Sequence, residues 1–326
     1  MRAYIIRRLL LMIPNLLLVS ILIFFTIRLI PGDLIDIMAA EMHGFAATDR
    51  ARIEKSLGFD VSMPTQYGRW MGLLPQEDGS FRGLLQGDLG NSLWRRTPVS
   101  KLIAKAWPVS FELFILGIII SLLIAFPIGI YSALRQDTWG DYAGRSFAIL
   151  SISVPDFWLA TLIIVLPSIW WGWMPPLFII PFSKDPIDNL LMFLPPAVVM
   201  GMALSGTIMR LTRTMMLETL RQDYIRTAWS KGLRERIIVL RHALKNALIP
   251  VVTLIGLRVG LLMGGAVVIE QIFNLPGLGR LLFAAVSLRD YTIVSALMMI
   301  FAAVFILANL MVDLTYGFLD PRIRYH

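Results

Sequence analysis

The chain has no cysteine and only three histidines among 326 residues, and just 16% of its residues are charged. The lack of cysteine excludes disulfides, zinc thiolate sites and thiol catalysis. His43, His242 and His326 stand in no HExxH pattern and at no metal-ligand spacing, so no metal site is expected. There is no GxSxG elbow for a nucleophilic serine and no GxxxxGK[ST] loop to cradle a nucleotide phosphate. No cofactor is implied. Any ATP used must be handled by another chain.

What the chain does have is apolar surface. Hydrophobic residues make up 57% of it and the mean hydropathy is +0.71, whereas a soluble domain carries about a quarter of charged residues. This predicts an all-α, polytopic membrane protein. Six stretches are long and apolar enough to cross a hydrocarbon core, near residues 9 to 30, 109 to 134, 146 to 172, 189 to 211, 247 to 269 and 291 to 317. The first follows Arg2, Arg7 and Arg8 but is too long for a secretory signal and ends without a small-residue cleavage pattern, so it reads as a retained anchor. Pro127, Pro155, Pro167, Pro195 and Pro196 fall inside spans, so kinked helices are expected.

The net charge of +8 reports orientation rather than nucleic-acid binding, because the basic residues cluster in short segments between apolar runs. With a cytoplasmic N-terminus, the inner segments 1–8, 135–145, 212–246 and 318–326, with Arg210, hold sixteen of the thirty lysines and arginines. The short outer connections 173–188 and 270–290 hold only Lys184, Arg280 and Arg289, which is the positive-inside asymmetry. Both termini are therefore expected in the cytoplasm. Segment 31–108, with nine basic and nine acidic residues, is expected outside.

The chain thus reads as an anchor over 1–30, an external segment over 31–108 and a five-helix core over 109–326. In the external segment, Thr48 can cap one charged helix. Thr97 can cap a second, with Pro98 at its first position and Val99, Leu102, Ile103 and Ala106 on a face that lies along the membrane surface. The whole segment reads as a structural connector rather than a ligand site.

Segment 212–246 is too long and too charged for a mere connector, with eight basic and three acidic residues. Asp223 can cap a short helix whose Tyr224, Ile225, Ala228 and Trp229 share an apolar face, with Arg226, Ser230 and Lys231 elsewhere. Gly232 then marks a turn or a close approach to another backbone. Beyond it a basic helix restarts and enters the fifth span through Pro250. On physical grounds two readings stay open, a basic amphipathic piece lying on anionic lipid and a docking surface.

Residues 224–228 (YIRTA), 231–233 (KGL) and 241–250 (RHALKNALIP) resemble the coupling loop of ABC-transporter permeases of the dipeptide and oligopeptide (and nickel) import family. The similarity continues in FNLPGLGRLLFAAVSLRDY (273–291), DLTYGFLDPRIRY (313–325), the N-terminal IIRRLLLMIPNLLLVSILIFFTIRLIPGD and the GDLGNSL motif, and is greatest to the first permease subunit type. It implies a type I importer permease in a bacterial or archaeal plasma membrane, paired with a second permease subunit. Two cytoplasmic ATPases and an external substrate-binding protein complete the implied assembly. Tyr224, Arg226, Thr227, Ala228, Lys231, Gly232 and Leu233 would then couple to the ATPase. The broader importer signature has Glu-Ala-Ala, three residues and Gly; here Arg226, Thr227 and Ala228 precede Gly232 at that spacing, so an ionic contact by Arg226 would need an acidic partner.

Arg258 is the deepest charge in the fifth span, and either lines the path or pairs with Glu270 or a partner subunit. Glu112, Asp156, Glu270 and Asp313 lie nearer span ends, where snorkelling or capping explains them. Trp170, Trp171 and Trp173 mark the outer interface. A stand-alone secondary transporter or channel is the alternative, but it would need its own coupling-ion site and has no use for a long basic loop.

Overall fold

The structure, a computed structural model, describes residues 2–29, 60–175 and 178–319. The expected Thr48 helix and the DPRIRY end of the last motif lie outside these residues. Ten helices account for nearly all the regular structure among the described residues: α1 (Arg2–Arg28), α2 (Met63–Met71), α3 (Val99–Leu134), α4 (Trp139–Ser153), α5 (Asp156–Trp171), α6 (Pro186–Leu220), α7 (Asp223–Ser230), α8 (Leu244–Ile272), α9 (Leu278–Ser287) and α10 (Tyr291–Leu319). One turn (Glu235–Ile237) and a π-helical turn (Ile238–Ala243) run directly into α8. Among the described residues five helices are long and apolar enough to cross a membrane, and six when the bent pair α4 and α5 is counted as one broken span.

That break corrects the expected third span, which the sequence suggested would only kink. The axes of α4 and α5 differ by 97°. Proline pushes the preceding residue out of the helical region, and Val154 is extended at φ −82°, ψ 122°, followed by Pro155 at φ −63°, ψ 135°. The Val154 N–H still closes α4 on the Leu150 carbonyl, while the Pro155 carbonyl accepts the first N–H groups of α5. Pro108, Pro127, Pro167, Pro195, Pro196 and Pro250 all sit inside continuous helices instead.

A second correction concerns the stretch after Thr97. It is not a separate surface helix but the first turns of α3, which at 36 residues and about 54 Å is far longer than a span requires. Thr97 does not cap it. The Pro98 carbonyl accepts from Lys101 and Leu102, while Pro98 itself pairs with Asn91 in an isolated antiparallel bridge. The expected face is real: Val99, Ile103 and Ala106 are buried, and Lys101 and Lys105 are exposed.

The chain divides into two compact units, one of Met1–Leu10, Ala106–Leu281 and Val304–His326, the other of Leu11–Lys105 and Leu282–Ala303. In the second unit the GDLGNSL motif folds onto the start of α10. Buried Asp290 accepts the Ser92 hydroxyl at 2.6 Å and the Leu93 N–H at 3.1 Å, and the Trp94 indole N–H donates to the Leu288 carbonyl at 2.7 Å. Gly90, at φ +76°, lets the loop pass close to Thr292. A polar cavity of about 790 Å³ opens beside this joint, with Arg28, Gln66, Arg96 and Tyr291 among its walls.

In the first unit the core is built on α6. Phe193, Ala197, Met200, Ile208 and Met209 are buried along it, facing α3, α4, α5 and α8. At one end of α8, fully buried Glu270 accepts the Ser110 hydroxyl at 2.5 Å and the Arg280 N–H at 3.0 Å, and the Ser110 oxygen accepts the Leu278 N–H at 2.7 Å. A carboxylate is thus set against the free N–H groups that open α9. This is capping, but of a neighbouring helix and in full burial, not at a solvated span end.

The same packing leaves no space at Gly277, where a Cβ would stand 2.3 Å from the Glu270 carboxyl carbon. Gly277→Ala should therefore lower the melting temperature of the purified protein, by an amount equivalent to about 1–3 kcal/mol. Gly264→Ala, with nothing within 4 Å of the new methyl group, should leave it unchanged or raise it slightly.

Candidate functional site

Segment 212–246 starts on the last turns of α6 and ends in the first turn of α8. Between them, α7 is eight residues long with two unlike faces. Ile225 and Ala228 are buried in a cluster with Ala133, Met216, Ile238, Val239, Ala243 and Ala247. Tyr224 and Trp229, expected on the same apolar face, lie half exposed at 44% and 49%. The face is therefore split: one half seats α7 on the chain, and the other is left outward.

The ends of α7 explain its short length. Asp223 is not its cap; Gln222 holds that position without a side-chain bond, and Asp223 is the first helical residue, where its charge suits the positive end of the helix. At the other end the Gly232 N–H bonds the Trp229 carbonyl and the Leu233 N–H bonds the Ala228 carbonyl. Those two bonds form a Schellman motif, which needs a left-handed residue, and Gly232 has φ +73°. Nothing lies within 4 Å of where its Cβ would be, so within this chain Gly232 serves the turn and not a close backbone approach. Leu233, the residue after it, packs back on the buried cluster.

Further contacts hold the helix in place. The Asn246 amide donates to the Tyr224 hydroxyl at 2.8 Å, tying α7 to the start of α8. The Thr227 hydroxyl donates to the Asp223 carbonyl at 3.0 Å and the Ser230 hydroxyl to the Thr227 carbonyl at 2.9 Å. Arg226 is largely exposed and reaches Asp223 only at 3.5 Å, a contact worth little in water. Lys231 is exposed as well, as are Arg221, Arg234, Arg236, Arg241 and Lys245.

The π turn that follows preserves alignment. Ile238 and Ala243 are five apart, the repeat of a π turn, and Ala247 and Val251 continue at four. The buried stripe thereby runs unbroken from the cluster under α7 into α8. The sequence gives no sign of this turn, since its apolar residues fit either repeat.

Of the expected site residues, the structure brings Tyr224 to Leu233 together on one turn-capped helix and leaves Arg258 apart on α8. Arg258 is half-buried and makes no ion pair among the described residues, and Glu270, twelve residues further, is satisfied by Ser110 and backbone N–H groups. The pairing of Arg258 with Glu270 is thus not formed. One arrangement went unread in the sequence: Asp141 on α4, fully buried, accepts Arg213 of α6 through both oxygens at 2.7 and 2.8 Å. The arginine had counted only as one of eight basic residues in the loop.

Because Gly232 is required for its backbone angle, Gly232→Ala should destabilise the end of α7 by about 1–2 kcal/mol, and Gly232→Asn by less. Hydrogen exchange at the Gly232 and Leu233 amides should read this directly, accelerating about tenfold in the alanine variant.

Residues 125–325 match the family described as binding-protein-dependent transport system inner membrane component, and residues 1–114 match the N-terminal domain of such membrane components. A protein of Brucella abortus (strain 2308), provisionally named a peptide transport system permease protein, is 39% identical over 100% of both chains. The glutathione transport system permease protein GsiC of Pectobacterium atrosepticum is 37% identical over 99% of both. Among solved structures, an amino acid ABC transporter with histidines is similar over 69% of this chain and 95% of that one, at 14% identity and a TM-score of 0.49. The chain belongs to the family of binding-protein-dependent transport system inner membrane components, as a multi-pass permease subunit of an ABC importer.

Proposed function

We propose that this subunit forms half of the translocation path for peptides or a related small solute, and that α7 docks in a cytoplasmic ATPase subunit. The assembly would comprise a second permease, two ATPase subunits and an external binding protein that delivers the solute. Both termini and segment 212–246 would face the cytoplasm, with 31–108 outside. On this reading the chain has no nucleotide site of its own, and ATP is hydrolysed by its partners. The peptide class is suggested by the names of the relatives and by the loop sequence.

The observation that carries the docking role is the split face of α7. A helix of eight residues has little stability alone, yet this one is fixed by the buried Ile225 and Ala228, by the Schellman turn and by the Tyr224–Asn246 bond. It presents Trp229, Tyr224 and Arg226 outward on that fixed base. Aromatic and arginine side chains on a preorganised support are the usual anchors of protein interfaces. Tyr224, Arg226, Thr227, Ala228, Lys231, Gly232 and Leu233 would thus divide into outward contacts (Tyr224, Arg226, Thr227, Lys231) and supports (Ala228, Gly232, Leu233). Arg258, half-buried and without an ion pair among the described residues, would line the solute path on α8.

Trp229→Ala tests the reading without disturbing the fold, because the side chain is half exposed and Ile225 and Ala228 carry the packing. The variant should insert and pair with the second permease at normal stoichiometry, bind ATPase about tenfold or more weakly, and lose ATP-driven uptake in reconstituted vesicles. Unaltered ATPase binding, with reduced binding to anionic vesicles instead, would assign this face to lipid.

A further inference from the structure

The buried Asp141–Arg213 pair sits where three parts of the first unit meet. Arg213 lies three residues before Met216, which is fully buried under α7 in the cluster with Ile225 and Ala228. Asp141 lies on the first turn of α4 and also accepts the Asp137 N–H at 3.1 Å, so it holds the connection from α3 as well. Arg145, one turn further on α4, stands 3.6 Å from the same carboxylate. The rest of the contact between α4 and α6 is close and holds no ion pair among the described residues. A Cβ on Gly206 would be 2.7 Å from the Ala148 carbonyl oxygen, and one on Gly144 would be 2.9 Å from the Met209 methyl group. Apolar packing of this kind is non-directional and carries no bond that fixes the register of one helix on the other. The pair is the one charged, directional link between the two helices among the described residues.

Twelve residues after Asp141, α4 stops at the 97° break, where Val154 and Pro155 are the only residues outside helix. A two-residue break between two rigid rods is a place where backbone rotation can be absorbed. We propose that Asp141 and Arg213 are positioning residues for transport: they make α4 follow α6, so that displacement entering at α7 reaches the Val154–Pro155 break instead of being lost as slip between the helices. This inference rests on the reading of α7 as the ATPase docking helix. It assigns the pair to coupling, where an ordinary buried ion pair would serve folding alone.

The two roles differ in what is lost. Removing one partner would strand the charge of the other, so both are replaced at once, while Arg145, 37% exposed, keeps Asp137 at 3.9 Å. The natural lack of cysteine makes the replacement informative. Asp141→Cys combined with Arg213→Cys, in a reconstituted complex whose other subunits lack reactive thiols, should assemble at wild-type stoichiometry and hydrolyse ATP. The ATP consumed per solute carried should rise at least fivefold. A short bifunctional methanethiosulfonate joining the two cysteines should bring that ratio back to within twofold of wild type, although it restores no charge. An unchanged ratio in the double variant, a ratio that stays high after cross-linking, or failure of the double variant to assemble would each overturn the proposal. Unaltered ATPase binding by the Trp229→Ala complex would instead bring down the reading of α7 on which it rests.

Discussion

A buried polar group without a hydrogen-bond partner is costly, so where this chain turns inside its own packing the backbone and charges there must be satisfied from within the protein. Three buried carboxylates do this, each at a change of direction. Glu270 takes the Ser110 hydroxyl and an N–H at the opening of α9, and Asp290 takes Ser92, Leu93 and the Ile293 N–H at the opening of α10. Asp141 takes Arg213 and the Asp137 N–H where α3 gives way to α4. None of the three is exposed enough to be held by water. Each joint is therefore specified by a small set of residues far apart in sequence, and the long helices simply connect them.

Segment 212–246, proposed to dock the ATPase, follows a different rule, because most of its polar side chains are exposed. Its helix is short, its polar contacts are local, and its stability comes from a modest apolar seat beneath Ile225 and Ala228. Such an element can present side chains without needing to bury them. The link between this segment and the membrane core runs through Met216 on one side and through the π turn and α8 on the other. A push on α7 thus has two routes into the bundle, one along α6 and one along α8.

Much of this was legible in the sequence, for reasons that can be named. Apolar runs of about twenty residues mark spans because the backbone must be helical there, and five of the six expected spans are continuous helices. The third was misjudged because a proline inside an apolar run can kink or break a helix, and only the extended Val154 decides which. The role of Gly232 as a turn was readable from glycine's freedom at positive φ, and its φ of +73° agrees, but the Schellman pattern is set by backbone bonds from Gly232 to Trp229 and from Leu233 to Ala228 that no residue type announces. Glu270 and Asp290 were read as end-of-span charges or passed over, since their donors, Ser110 and Ser92, are 160 and 198 residues away. The Asp141–Arg213 pair was hidden likewise, its partners being 72 residues apart in segments counted only for charge.

The central claim is that the outward face of α7 meets an ATPase subunit, and proximity measures it most directly. Ser230 is exposed beside Trp229 on that helix, and the chain brings no cysteine of its own. Ser230→Cys, treated in native membranes with a short thiol-to-amine cross-linker, should yield an adduct with the ATPase subunit, while Ser80→Cys in the 31–108 segment should yield none. An ATPase adduct at Ser80→Cys, or none at Ser230→Cys in membranes that retain ATP-driven uptake, would contradict the account.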